Sequence, residues 1–156
     1  MFDAAAHEQK HGIEVQLPLL ARVAPRARVA AIAIGRADLG QCRQIAAGLA
    51  AVVRSMPRPP LLVISSDMNH FADDATTRRL DALALAAMQR LDPAHLFDVV
   101  TSNGISMCGL LPAVIVMEAL RQLGGLTAFE PVGYSTSADV TGDPSRVVGY
   151  AGALLG

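Results

Sequence analysis

Polar residues cluster after an apolar run in the stretch LLVISSDMNHF, residues 61–71, and four of them could do chemistry. They are Ser66, Asp67, Asn69 and His70. A carboxylate and an imidazole placed together can transfer protons in a reaction, so Asp67 and His70 are candidate acid/base groups. A plainer interpretation stays open, in which Asp67 caps a turn and His70 is an ordinary loop histidine.

The stretch HEQKH, from His7 to His11, matches the H-E-x-x-H pattern of zinc hydrolases. On a helix, His7 and His11 would share one face, with Glu8 beside them as a general base. No further ligand follows at the spacing of the larger zinc-protease families. The alternative is a polar helix start that leads into the apolar positions Ile13 and Leu17.

Cys108 stands at the start of the apolar run CGLLPAVIVMEALRQLGG, which predicts a buried helix with a glycine stop. The N-terminus of a helix favours anions, so a thiolate there would bind metal ions readily. A free cysteine is also a common core residue, and that alternative stays open. Cys42 falls in mid-helix and is expected only to pack.

Two short apolar runs are expected to position these side chains. Residues 29–35 and 61–67 do not alternate polar with apolar positions, which is typical of buried parallel strands. Ligands of parallel α/β sheets bind beyond the carboxyl ends of the strands. Asp67 and His70 lie at such an end, and this placement favours a functional role.

Helices are expected between and after these runs. Apolar residues recur at helical spacing over residues 37–53 and 76–91, and Asp92 and Pro93 are a typical helix start. The segments 126–140 and 145–155 read as two strands around the turn TGDPS. The sequence therefore predicts one α/β domain, with a mostly parallel sheet flanked by helices.

Composition narrows the class of protein. The 156 residues suit one domain, and 52% of them are hydrophobic against 17% charged. A net charge of -1 argues against nucleic-acid binding, which needs a basic surface. The apolar runs are shorter than a membrane span of roughly 20 residues, and charges follow the start too soon for a signal peptide. A soluble, cytoplasmic protein is expected.

Four segments, in order along the chain, resemble the Memo-like family, also called AmmeMemoRadiSam system protein B. KHGIEVQLPLL resembles that family's E-H-S-I-E-V-Q-L-P-F-L segment, and VISSDMNHF is similar to its strand ending in S-S-D-(F/M)-S-H-(Y/F). CGLLPAVIVMEAL resembles its C-G-x-x-P helix start. YSTSADVTGDPSRVVGYAGA is close to its C-terminal Y-x-x-S-x-D-V-T-G-D-x-S-x-V-V-G-Y-A signature.

The resemblance implies a fold related to class III extradiol dioxygenases and a metal held by two histidines and a cysteine. By matching positions, His11 corresponds to the second metal histidine and Cys108 to the metal cysteine. Asp67 and His70 correspond to the acid and the histidine that line the same pocket. Iron is the metal expected from this ligand set, with copper and zinc as the alternatives.

The resemblance also implies that residues 1–156 form a partial, N-terminally truncated Memo-like domain. The family's first metal histidine lies in a P-H-A-G-Y-like stretch, which this sequence does not contain. Weak metal binding and self-association are therefore expected. Radical-SAM and AMMECR1-like proteins of the same system are the expected partners.

The resemblance leaves the function open between classes of protein. One is a metal-dependent enzyme, an oxidoreductase of dioxygenase type, in which Asp67 and His70 act as acid/base groups. Another is a non-catalytic module that binds a peptide or a partner protein in the same pocket. The H-E-x-x-H zinc hydrolase is the remaining alternative.

Overall fold

The structure, a computed structural model, describes residues 11–156. The chain divides into two compact units, Met1–Arg36 and Ala37–Gly156. In the first unit, α1 (His11–Glu14) and α2 (Leu17–Val23) are short helices. His7 and Glu8, and with them most of the H-E-x-x-H stretch, lie outside the described residues. The expectation of a single domain stays a prediction.

The second unit combines helices with a small sheet, so the chain is a mixed α/β protein. Its elements are α3 (Leu39–Ser55), α4 (Asp74–Gln89), α5 (Pro93–Ser102), α6 (Leu110–Leu123), β1 (Phe129–Thr136), α7 (Ala138–Thr141) and β2 (Gly149–Leu155). Across residues 11–156, no helix is both long enough and apolar enough to cross a membrane.

Local sequence signals set the helix ends. Asp92 is the N-cap of α5, and its Oδ1 accepts the backbone N–H groups of Ala94 at 3.0 Å and His95 at 3.1 Å. Asp38 and Gln41 form a capping box at the start of α3. Gly124 ends α6 with φ 75°, a left-handed conformation that glycine adopts without strain. The predicted helix start at Asp92–Pro93 and the predicted glycine stop are thus confirmed.

The core of the second unit lies around α6. This helix packs against α3 and α5, and α5 also packs against α4. The interior residues are mostly small or aliphatic, which lets the helices approach closely; they include Ala46, Ala50, Ala84, Leu96, Val100, Val114 and Met117. The loop between α5 and α6 carries Cys108, so this packing fixes both ends of that loop.

The two predicted C-terminal strands form an antiparallel pair. Phe129 of β1 pairs with Leu155 of β2, and Thr136 pairs with Gly149 at the other end. The register shifts by one residue between Pro131 and Gly133. This is the sheet that the structure assigns among the described residues.

The expected parallel sheet differs from this observed arrangement. Residues 29–35 and 61–67 have no strand assignment, and the described sheet is antiparallel. Leu61 and Val63 are 83% and 53% exposed, and Val29 and Ile32 are 51% and 65% exposed, so the expectation of fully buried strands over 61–67 and 29–35 is wrong. An apolar run predicts an extended, buriable segment, but a strand also needs a hydrogen-bonded neighbour, which the run cannot specify.

Charged side chains tie α4 to the end of β1. Arg78 donates to Asp74 at 2.7 Å and to Asp139 at 2.7 Å. Thr136 lies between them, since its hydroxyl donates to Asp74 at 2.5 Å and its N–H donates to Asp139 at 2.9 Å. The Arg78 hydrogen bond is the main reason that the pKa of Asp74 is lowered, and the Thr136 N–H is the main reason for Asp139.

We expect these carboxylates to make the protein acid-sensitive. Their pKa values are lower in the folded state, so their stabilisation is present above the unfolded value of about 3.9 and is lost as the pH falls through the folded values. Buried Asp81 acts in the opposite direction, because its pKa is raised in the folded state. Urea midpoints measured from pH 7 to pH 3 should fall most steeply below about pH 4. Asp139→Asn should flatten that fall, and an identical acid profile would contradict the assignment.

Candidate functional site

Two loops of the second unit meet at Cys108. One is the segment that follows the apolar run 61–64, and the other joins α5 to α6. The backbone N–H of Asp67 donates to the Sγ of Cys108 at 3.2 Å, and the same sulfur lies 3.9 Å from the carbonyl oxygen of Asp67. Both residues are exposed. The sulfur is therefore held in place and remains open to a ligand.

The hydroxyl group of Ser66 joins the two loops through hydrogen bonds close to the sulfur of Cys108. This hydroxyl donates to the carbonyl of Asp67 at 2.6 Å and accepts the N–H of Gly109 at 2.8 Å. The hydroxyl oxygen lies 3.8 Å from the Sγ of Cys108. Gly109 is the N-cap of α6, so Ser66 also satisfies a backbone donor at the start of that helix.

Asn69 and Ser106 form a second clamp between the loops. The Oδ1 of Asn69 accepts the N–H of Ser106 at 3.1 Å and lies 3.0 Å from the Ser106 hydroxyl. That hydroxyl in turn accepts the N–H of His70 at 2.8 Å. Asn69 is buried, where hydrogen bonds are shielded from water and an unpaired polar group would be costly.

The ring of His70 is oriented by its own loop. Its Nδ1 lies 2.9 Å from the carbonyl oxygen of Met68. A carbonyl only accepts, so this contact assigns the proton to Nδ1 and leaves the lone pair of the neutral ring on Nε2. Metal-binding histidines commonly donate one ring N–H to a carbonyl in this way, because it fixes the tautomer and the ring plane. His70 is therefore prepared to act through Nε2.

The start of β2 holds the loop from its other side. Met68 donates to the carbonyl of Gly149 at 2.9 Å, and Gly149 donates to the carbonyl of Asn69 at 2.9 Å. His70 and Val148 form an antiparallel bridge next to these bonds. The loop from Met68 to His70 is thus fixed by backbone hydrogen bonds as well as by side chains.

Three of the predicted site residues are linked to one another in the second unit. Asp67 and Cys108 are in contact, and His70 is joined to the Cys108 loop through Ser106. His11 begins α1 in the other unit, and its side chain lies outside the described residues. Cys42 is buried in α3, and burial raises the pKa of its thiol. That it only packs stays a prediction.

The donor set of this unit does not make a complete metal site by itself. In the part of the chain that the structure describes, no three His, Cys, Asp or Glu side chains lie close enough to hold a metal ion. The types of donor are nevertheless suitable, since a thiolate and an imidazole are the ligands of iron, copper and zinc.

Sequence reasoning missed the residues that hold the site together, which are Ser66, Asn69, Asp81, Ser106 and Tyr134. Asn69 and Ser66 stood in the conspicuous polar stretch but had no assigned role. Asp81 was not singled out within the predicted helix over residues 76–91. Its position among the alanines and leucines of LDALALAAM was the available signal, since that run predicts a buried face.

A match to a protein-family model shows the family to which this chain belongs. The model of the Memo-like protein family matches residues 1–154. The chain belongs to the Memo-like family. The resemblance of the four segments is thereby confirmed.

Curated relatives agree with the assignment to the Memo-like family. A MEMO1 family protein of Aquifex aeolicus is 35% identical over 154 residues, which are 98% of this chain and 57% of the relative. One of Desulfurococcus amylolyticus is 34% identical over 151 residues, 96% of this chain and 53% of the relative. The chain thus spans just over half the length of these Memo relatives.

Proposed function

We propose that this Memo-like chain contributes a transition-metal site centred on Cys108. The observation that carries the proposal is the exposed Sγ of Cys108, which the N–H of Asp67 holds in place at 3.2 Å. A thiolate is the form of cysteine that binds metal ions. Iron is the metal best suited to the family resemblance, and copper and zinc accept the same donors.

Three residues of the second unit would have different roles at the metal ion. Cys108 supplies the sulfur ligand, and the Nε2 of His70 or the carboxylate of Asp67 supplies a nitrogen or oxygen donor or exchanges protons with a substrate. His11 is the further ligand that the family resemblance assigns. A bound iron would supply redox and Lewis-acid chemistry at this edge of the fold.

The finer parts of the proposal rest on the family resemblance. These are a fold related to class III extradiol dioxygenases, a metal-dependent oxidoreductase activity, and work alongside radical-SAM and AMMECR1-like proteins of one system. Membership of the Memo-like family supports them, but it does not assign a reaction.

Metal binding tests the proposal directly. We expect Co²⁺, used as a spectroscopic stand-in for iron, to bind the purified chain with a sulfur-to-metal absorption band. Cys108→Ser should abolish the band, because it removes the thiolate, and His11→Ala should abolish binding. The matched control is Cys42→Ser, which replaces a buried thiol in α3 and should leave the band unchanged.

The metal content after dialysis against Fe²⁺ under nitrogen gives an independent measurement. The order of the variants should be the same as with Co²⁺. The residue assignment is wrong if Cys42→Ser loses the metal and Cys108→Ser keeps it. Equal binding by all variants would reject the metal site itself.

Phe71 favours a second candidate function, a binding module for a peptide or a partner protein. This side chain is 64% exposed, and its backbone is held in the left-handed region at φ 76°. Such a conformation costs roughly 1–3 kcal/mol for a non-glycine residue and is concentrated at functional positions. The guanidinium of Arg146 lies 4.6 Å above the ring and His70 lies at its edge, 4.9 Å between ring centroids. Loss of binding to a peptide or partner protein in Phe71→Ala, with Co²⁺ binding unchanged, would favour this function.

A further inference from the structure

A buried carboxylate lies beneath the candidate site. Asp81 of α4 is 0% exposed, and its Oδ1 accepts the N–H of Asn69 at 2.7 Å. Its Oδ2 accepts the hydroxyl proton of Tyr134 from β1 at 2.7 Å. Burial raises the pKa of Asp81, while these two hydrogen bonds favour the ionised form. Because a buried carboxylate is costly unless it is paired, its two partners identify what it holds in place.

The backbone of β2 closes around the same carboxylate. Gly149 approaches Asp81 so closely that a Cβ at this position would overlap Oδ2 and lie 3.3 Å from the Cβ of Met68. Gly149 is also the residue that exchanges backbone hydrogen bonds with Met68 and Asn69. Strand, helix and site loop therefore meet at Asp81 without space between them.

A short series of hydrogen bonds connects Asp81 to the loop that carries Cys108. Asp81 fixes the backbone N–H of Asn69, and the side chain of Asn69 holds Ser106. Ser106 accepts the N–H of His70 and stands two residues before Cys108. A shift of Asn69 would thus alter how the two loops meet.

We propose that Asp81 is a positioning residue for the candidate site: through Asn69 it keeps the Asp67–His70 loop in register with the loop that carries Cys108. Tyr134 supports this role by holding the second oxygen of the carboxylate. The proposal rests on the proposed function for its metal measurement, whereas the positioning of Cys108 is a property of the metal-free chain.

Two substitutions probe the role, and a third separates it from general stability. Asp81→Asn keeps the size of the side chain but leaves one acceptor oxygen, so it cannot accept from both Asn69 and Tyr134. Tyr134→Phe removes one hydroxyl and leaves Asp81 in place. The matched control is Asp74→Asn, because Asp74 also joins α4 to β1 but bonds to Thr136 and Arg78.

The first measurement is the rate at which Cys108 reacts with a thiol reagent in the metal-free chain. Cys42 is buried, so the fast phase reports on Cys108. We expect Asp81→Asn and Tyr134→Phe each to speed this phase by about fivefold, the population change that one lost hydrogen bond supports. The double variant should be little faster than either single variant, because Tyr134 acts through Asp81. Asp74→Asn should react at the wild-type rate.

The second measurement is the affinity for Co²⁺, which should fall about tenfold in Asp81→Asn, as is typical when a group behind a ligand is altered. An unchanged or slower thiol rate in both Asp81→Asn and Tyr134→Phe overturns the positioning role, as does an equal change in Asp74→Asn. If Asp81→Asn does not fold, Tyr134→Phe decides by the same criterion. If Cys108→Ser leaves Co²⁺ binding unchanged, the proposed function fails, and the thiol rate still decides the role of Asp81.

Discussion

Gly109→Ala should open the candidate site and destabilise the second unit by about 3 kcal/mol, the upper part of the range for overpacking in a close contact. A Cβ at position 109 would overlap the Cβ of Ser66 and lie 2.6 Å from its hydroxyl and 2.9 Å from the carbonyl oxygen of Ser65. The hydrogen bond from the Gly109 N–H to Ser66 would be lost with the contact. The backbone at Gly109 has φ -97°, which any residue adopts, so backbone strain does not contribute to the effect.

The measurements are the urea midpoint and the thiol reaction rate of Cys108, which should rise because the sulfur loses its neighbours. Gly48→Ala is the matched control. Gly48 lies inside α3, and beyond the backbone of that helix no heavy atom lies within 4 Å of the added Cβ, so alanine should stabilise the helix by roughly 0.5–1 kcal/mol. A Gly109→Ala variant with wild-type stability and thiol rate would show that the two loops are not held together at Ser66.

The parts of the fold that the sequence predicts correctly depend on short-range rules. Asp92 caps α5 because a carboxylate can reach N–H groups two and three residues ahead, and Gly124 ends α6 because it adopts positive φ without strain. The prediction of a buried strand over residues 61–67 is wrong because strand formation depends on long-range pairing. The conformation of this segment depends on a hydrogen-bonding partner far away in the chain, and no local pattern identifies that partner.

The residues of the candidate site also fall into two groups, those that the sequence indicates and those that only the fold reveals. Residue type and the family resemblance indicated Asp67, His70 and Cys108, because few side chains carry such chemistry. The supporting residues could not be found in this way. Asn69 and Ser106 are 37 positions apart, and only the packing of α5 and α6 brings their loops together. Asp81 is a common residue for an exposed helix face, and only the fold shows that it is buried beneath β2.

Leu96→Ala should reduce the free energy of unfolding by about 3 kcal/mol, the middle of the range for leucine-to-alanine changes in a core. Leu96 is completely buried in α5, which packs against both α4 and α6, so truncation leaves a cavity between helices. Leu83 of α4 is 38% exposed, and Leu83→Ala is the matched control, with an expected loss of about 1 kcal/mol. Urea unfolding of the three proteins measures the difference.

Leu96→Ala also separates stability from the geometry of the site. The side chain of Leu96 is apolar and takes no part in the hydrogen bonds that hold the Cys108 loop. In the folded protein, the thiol rate of Cys108 should therefore stay close to that of the wild type. Gly109→Ala should change both quantities, because the added methyl group lies within the site. If Leu96→Ala speeds the thiol reaction as much as Gly109→Ala does, the reactivity of Cys108 follows overall stability rather than the contacts of Ser66 and Asp67. Loop positioning would then have no separate role at this site.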